Sequence, residues 1–361
     1  MRNLVARELL WPVIMLTALA CFTGCAGMDR YLPAGAQKLT AEQEIKVGAA
    51  AGDRLLQLLG GPHHDQTLAE EIESLIKRDV EISGRLNVSL ADKSAAALYV
   101  LPGDRVVMTR GLLSEIRDLG ELTALLQHAA ALSRAASSVQ ANRASHKATV
   151  EILSTKESVY DPESGSIRLA RIFAERPCEG NCVKSLLSSE MKSSQGVPES
   201  IRLLQELQPA YTSLAEAQQL ERADNFSQAI IHYLKAATMA PDEPHILGSL
   251  GMAYLRAGEL QTARLNLQKA VKLQPDYYKT RMGLGYLYLQ QGKVHKANNE
   301  LAESVRLLPV TENLFLLAEA REKGGDAEGS ISLYRLIVEK DPQSKLGRTA
   351  ASRLARSMGA E

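Results

Sequence analysis

Apolar residues open the chain as one block, Leu9 to Phe22, behind Arg2 and Arg7. From residue 39 they recur at helical spacing in LTAEQEIKVGAAAGDRLLQLLG. Thr40-Ala41-Glu42-Gln43 and Thr67-Leu68-Ala69-Glu70 each fit a capping box, which predicts that helices start there. Between Leu98 and Leu113 the period changes. An apolar run, a Pro102-Gly103 turn, the extended run Val106, Val107, Met108 and Thr109, and then Gly111 ahead of a helical pattern predict a hairpin that feeds a helix. Residues 133 to 200 hold SRAASSVQANRASH, YDPESGS and SLLSSEMKSSQG, which read as helices broken by polar loops. His63 and His64, after the Gly60-Gly61 break, read as part of a solvated loop.

The C-terminal half is periodic on a longer scale. Pro241, Pro275, Pro309 and Pro342 are spaced by 34, 34 and 33 residues. Leu250, Gly251, Tyr254, Gly258, Ala263, Leu267 and Ala270 are followed one period later by Leu284, Gly285, Tyr288, Gly292, Ala297, Leu301 and Ser304. Small residues at Gly251, Ala263 and Ala270 allow paired helices to approach closely. Tyr254 and Leu267 fill the space between layers, and Pro275 ends the second helix. The pattern resembles the tetratricopeptide repeat, a helix-turn-helix unit stacked into a solenoid. A weaker unit flanks each side, keeping Ala217, Ala229, Tyr233 and Ala236 before and Ala318, Gly325 and Tyr334 after. About four repeats therefore span 210–342. Leu346, Ala350, Leu354 and Met358 predict a terminal capping helix within 343–361, which such an array needs because each unit buries its apolar face only against a neighbour.

Composition agrees with a mainly helical chain of two domains. Hydrophobic residues make up 45% of the 361 but aromatics only 4%, so much of the apolar content is Ala and Leu. With 42 basic and 42 acidic side chains, no basic stripe recruits nucleic acid. The N-terminal apolar block is too short for a membrane span, which needs roughly 20 residues, and has the layout of a secretory signal. Small residues before cysteine make it resemble a bacterial lipoprotein signal over 1–24, with 25–38 as a linker. Cys25, in Thr23-Gly24-Cys25-Ala26, is the predicted lipidation site, and Cys21, after Ala18-Leu19-Ala20, is the alternative. Ala26 in second place resembles lipoproteins sorted to the outer membrane. In an oxidising compartment Cys178 and Cys182 predict a small disulfide loop, with a metal-binding pair as the alternative.

Glu121 to Leu132 read ELTALLQHAAAL. Together with TRGLL (Thr109, Arg110, Gly111, Leu112, Leu113), Pro102-Gly103, Glu121, Leu122 and His128, this segment resembles the M-48 zinc metallopeptidases, the HtpX and BepA-like group. Their pattern runs N-A-F-A-x-P-G-G, a strand, T-R-G-L-L and then H-E-x-x-H. The resemblance covers residues 39 to 205 and implies an α+β domain with a small hairpin or sheet. In that family two imidazoles one turn apart hold zinc, and a Glu beside the first takes a proton from the bound water. Here Ala97 replaces the Asn, Asp104 the second Gly, Ala129 the Glu and Leu132 the second His. A third ligand, a Glu from an E-x-x-x-D pattern, is not assignable; Glu179 and Glu190 lie near its place without the following Asp. His128 is therefore read as vestigial, the domain as a pseudo-peptidase, and no cofactor is expected; zinc belongs only to the alternative of an active endopeptidase with an atypical ligand set.

The repeats supply the candidate binding surface. By resemblance, the concave groove would present Gln218 and Arg222, Met252 and Arg256, and Tyr286 and Gln290 from successive first helices. Mixed polar, Met and aromatic character suits capture of a peptide or helix, although Met252 and Tyr286 also suit packing between repeats. The expectation is a lipid-anchored periplasmic scaffold that binds protein clients in envelope biogenesis, with a structural lipoprotein of a secretion or polysaccharide-export assembly as a further alternative.

Overall fold

The computed structural model describes residues 41–78, 86–101, 103–136, 178–179 and 196–358. Cys25, Cys21, Cys182, Glu190, Thr40 and Pro102 lie outside the described residues, as do most of 133–200 and the linker. The helices and loops expected in 133–200 are thus seen only at their edges. Among the described residues no helix is long and apolar enough to cross a membrane.

The N-terminal unit is built on a four-stranded sheet. Helix α1 (Ala41–Leu58) and helix α2 (Gln66–Arg78) precede β1 (Asn87–Ala91), β2 (Ala97–Leu101) and β3 (Arg105–Thr109). A short α3 (Arg110–Leu113), the long α4 (Leu119–Ala136), a two-residue β4 (Cys178–Glu179) and α5 (Glu199–Glu206) follow. The order is β1-β3-β2-β4, with β1 parallel to β3 and β2 antiparallel to β3. The expected hairpin is the β2–β3 pair. Gly103 and Asp104 turn it with φ of 69° and 59°, a pair of left-handed residues that matches the twist of the two strands. Asp tolerates that conformation, so replacing a second glycine there keeps the turn.

Strand β3 is buried on both faces, so its apolar residues run consecutively. Val106 and Met108 pack with Leu112, Leu125, Leu126 and Ala129 of α3 and α4, whereas Val107 and its strand neighbour Tyr99 pack in a second cluster with Leu55 of α1 and Leu59 just beyond it. Thr109 ends the strand and starts α3. Its hydroxyl accepts from the Leu112 N–H at 3.3 Å and the Ala97 N–H at 2.9 Å and donates to the Ala95 carbonyl at 2.7 Å. A Cβ on Gly111 would lie 1.9 Å from the Ser94 carbonyl oxygen, so only glycine fits where α3 crosses the β1–β2 connection. TRGLL is thus a packing device in this chain. The helix predicted to start behind a Thr67 cap starts two residues earlier, at Gln66, and its cap is Asp65, whose carboxylate accepts from the Thr67 and Leu68 N–H groups at 2.9 and 3.3 Å.

The C-terminal unit is a solenoid of antiparallel helix pairs: α6 (Gln208–Arg222) with α7 (Phe226–Met239), α8 (Pro244–Arg256) with α9 (Leu260–Leu273), α10 (Tyr278–Gln290) with α11 (Val294–Leu307), and α12 (Thr311–Lys323) with α13 (Ala327–Lys340). Helix α14 (Lys345–Met358) closes the end and buries Ala350 against Tyr334 and Ile337. The turn inside each pair needs one left-handed residue, met by Gly258, Gly292 and Gly325 and, in the first pair, by Asp224 at φ 58°. A Cβ on Gly251 would meet Leu267 Cγ at 2.7 Å, and one on Gly285 would meet Leu301 Cγ at 2.6 Å, the same close approach one period on.

The two units share a polar and aromatic seam. Gln57, at the end of α1, donates to the Asp276 carbonyl at 2.5 Å and accepts from the Tyr278 N–H at 3.0 Å. Gln274 donates in return to the Pro62 carbonyl. Tyr277, Tyr278, Leu308 and Val310 of the array close over Leu58.

Candidate functional site

The first helices of the first three pairs line a cavity of about 720 Å³, and the N-terminal unit closes one side of it. Gln218 and Arg222 of α6 and Met252 and Arg256 of α8 all line it, as the repeat register predicts for a concave face. Met252 also packs between repeats: a Cβ on Gly283 would lie 2.3 Å from its sulfur. Tyr286 and Gln290 are exposed and do not line the cavity, whose lining on α10 runs from Tyr278 to Met282.

Residues that sequence reasoning missed make the floor. Asp92, in the β1–β2 connection, is fully buried and takes a hydrogen bond from Arg110 Nε at 2.8 Å. Arg110, itself 2% exposed, lays its guanidinium over the Tyr211 ring, with Cζ 3.1 Å from the centroid. His63 Nδ1 is 3.6 Å from Asp92 Oδ1, and His245 Nδ1 of α8 is 3.9 Å from Asp92 Oδ2. His63 is therefore not on a solvated loop: its side chain is 4% exposed, because the array packs over the segment that follows Gly60-Gly61. His64 keeps 29% exposure and approaches Glu243 Oε1 at 3.8 Å. With Ser200, Leu203 and Leu207 this edge lines a smaller cavity of about 380 Å³.

Burying so many titratable groups at one seam separates their proton affinities. Burial alone raises the Asp92 carboxyl, but His63, His245 and Arg110 outweigh it and hold it well below the usual carboxylate range. Burial, reinforced by the neighbouring Asp92 charge, pushes Glu243 up to about 8. Burial draws His63 down, yet Asp92 and then Glu243 more than offset this, leaving it raised. For His245 burial wins and its pKa falls. Lys279 of α10 lines the groove, and burial lowers its ammonium as well. Arg110 stood in plain view inside TRGLL, and Lys279 lies one period after His245, so aligning the repeats finds it. Asp92 carries no signal of its own in the sequence.

The peptidase positions sit together on α4. Ala129 is fully buried in the core beside Leu125 and Leu126, and the side chains of His128 and Leu132 lie outside those described. A methyl group and an isobutyl group offer no lone pair, so these residues do not fit a zinc ion or its general base. Among the described residues no group of three or more His, Cys, Asp or Glu is arranged to hold a metal. Cys178 lies in β4 and pairs in register with Leu98, while Cys182, its expected disulfide partner, falls outside the described residues.

A solenoid of antiparallel helix pairs with a lined concave groove defines a helical repeat array at the level of class. More particularly, residues 214–278 and 282–345 match the tetratricopeptide repeat family model, so this part of the chain is a tetratricopeptide array. Solved structures similar to it include MamA, residues 41 to the end, from Desulfovibrio magneticus RS-1, at 22% identity over 42% of this chain and 93% of that one with a TM-score of 0.36. The first tetratricopeptide domain of Spaghetti (RPAP3), bound to an HSP90 peptide, is 20% identical over 33% of this chain and 94% of its own, with a TM-score of 0.32. No curated protein matches the chain.

Proposed function

We propose that the protein is a non-catalytic scaffold or adaptor, held by a lipid on Cys25 (or Cys21) at the periplasmic face of the outer membrane, that binds protein clients through its tetratricopeptide groove in envelope or outer-membrane protein biogenesis and quality control. The observation that carries the binding part is the 720 Å³ groove, whose lining mixes cations, Met and aromatic rings on rigid helices. Ala129 and Leu132 in place of a general base and a metal ligand support the absence of hydrolysis. The lipoprotein-like N-terminus and the resemblance of residues 39–205 to the M-48 group support the envelope setting.

A photo-crosslinking amino acid at Met252 in the intact lipoprotein, with client identification from its native envelope, tests the binding reading. Captured envelope proteins, lost when the crosslinker is moved to Leu265 on the outer surface, are the expected result. The rival, an active zinc endopeptidase, predicts stoichiometric zinc on the purified protein and cleavage of an unfolded β-rich substrate abolished by His128→Ala. That outcome would overturn the scaffold reading.

A further inference from the structure

The groups that meet between the two units are titratable and poorly matched. The N-terminal unit brings His63, His64, Asp92 and Arg110, and the array brings Tyr211 of α6 with Glu243 and His245 at the start of α8. His64 Nδ1 lies 3.8 Å from Glu243 Oε1, and His245 Nδ1 lies 3.9 Å from Asp92 Oδ2, both too long for a hydrogen bond. Among the described residues, Asp92 Oδ2 and Glu243 Oε1 are buried without a hydrogen-bond partner, as are Arg110 Nη1 and Tyr211 OH. Two carboxyl groups therefore lie together at the seam, one from each unit, and the Arg110 Nε bond goes to Asp92. A second negative charge on Glu243 would be 3% exposed beside the first, an arrangement that holds only while one of the two keeps a proton. The groups facing Glu243 are Asp92, His63, His64 and Arg110 from the N-terminal unit and Tyr211 from α6, with Asp65 lining the same 380 Å³ cavity. Burial and then Asp92 outweigh His63 and Arg110, so the proton stays on Glu243 until about pH 8. The covalent joint is short. Leu207 alone separates α5, whose Ile201 and Leu204 sit in the N-terminal core, from α6, whose Tyr211 and Leu214 sit in the first repeat.

We propose that the seam is a proton-operated latch: the units stay docked while Glu243 carries its proton and part about Leu207 as it is lost, uncovering the groove on the side that the N-terminal unit closes. The latch requires no client. Parting moves Glu243 away from Asp92, because the two belong to different units, and returns both charges to water. Arg110 leaves Tyr211 but keeps Asp92, since both lie in the N-terminal unit, so no buried cation is stranded. Docking holds Glu243 above its ordinary value, so its contribution is complete below about 4.5 and is lost as pH rises to about 8. His63, also raised, acts in the same direction above 6.5, whereas His64 and His245, both lowered, act in the opposite direction and only below 6.5. Release therefore belongs to the alkaline side.

Hydrogen exchange of the full mature protein tests the latch, with each rate expressed as protection relative to the unstructured amide so that base catalysis drops out. Protection at Tyr278, whose amide Gln57 holds across the seam, is expected to fall about tenfold from pH 6.5 to 8, while β3 and α7 keep theirs. Glu243→Gln, neutral at every pH and of the same shape, should reduce that fall to less than about threefold. Glu312→Gln should leave it intact, although that carboxyl too is raised, to about 7, near Lys279. Infrared difference spectra between pH 6.5 and 8, taken in the Glu312→Gln protein, should show a carboxyl losing its proton, which keeps the test sound if Glu243→Gln does not fold. Constant protection at Tyr278, an equal fall in Glu243→Gln, disappearance of the fall in Glu312→Gln, a matching fall in β3 or α7, or no infrared change would each overturn the latch.

Discussion

Glu243 sits 3% exposed at the seam, facing Asp92, His63, Arg110 and Tyr211, with His64 at its rim. Its folded pKa, raised to about 8 from 4.5, means that between those values the native protein holds a proton that the unfolded chain releases. Stability from this group therefore falls as pH rises from about 4.5 to 8. His63, also raised, adds the same sign above 6.5. His245, lowered, acts oppositely and weakens the fold as pH drops below 6.5. Glu243→Gln keeps the shape and removes one titration, so its urea stability should gain on the wild type steadily from pH 5 to pH 8. A parallel pair of pH curves would show that Glu243 is not held protonated. Asp92 has the reverse logic. It is charged through this whole range, and without it Arg110 would be an unmatched buried cation, a situation that typically costs about 3–5 kcal/mol.

At the scale of elements, the junction of β3 and α3 concentrates three local demands: a cap, a buried ion pair and a close backbone crossing. Gly111→Ala forces the connection before β2 outward and is expected to lose about 2–3 kcal/mol in urea denaturation of the mature protein. Much at this scale was legible in the sequence. Turn residues and changes of period marked the β2–β3 hairpin, α4 and the helix pairs, because the forces that shape them act within a few residues. The cap of α2 was misread by two positions, since Asp65 and Thr67 compete for the same orphan N–H groups and the earlier acceptor wins. His63 was misread for a different reason. Whether a polar loop is wet depends on what arrives over it, and here that is the array, with His245 lying 182 positions further along. The groove was half legible: the repeat register placed Gln218, Arg222, Met252 and Arg256 on one lining, but nothing local reveals that another unit supplies Arg110 or that the cavity stops short of Tyr286.

For the whole molecule, the two units are joined by reciprocal side-chain-to-backbone bonds, Gln57 to residues 276 and 278 and Gln274 to Pro62. The amide of Tyr278 opens α10, where no carbonyl of its own helix can accept from it, and Gln57 fills that role. Gln57→Ala should speed amide exchange at Tyr278 and reduce the stability of the joined units by about 1–3 kcal/mol, leaving exchange in α12 and α13 unchanged. Uniform acceleration across the array would instead mean that the seam sets the stability of the repeats themselves.

Because Arg110 reaches the groove only when the units are docked, occupancy and docking are thermodynamically linked. Whatever binds across both units must tighten the seam by the same factor by which the seam tightens binding. A client can then be weighed through its carrier: it should slow exchange at Tyr278, the amide that Gln57 holds, in proportion to its affinity. Conversely, a change at Gln57 that never meets the client should loosen its hold, so the seam can tune affinity without altering the groove.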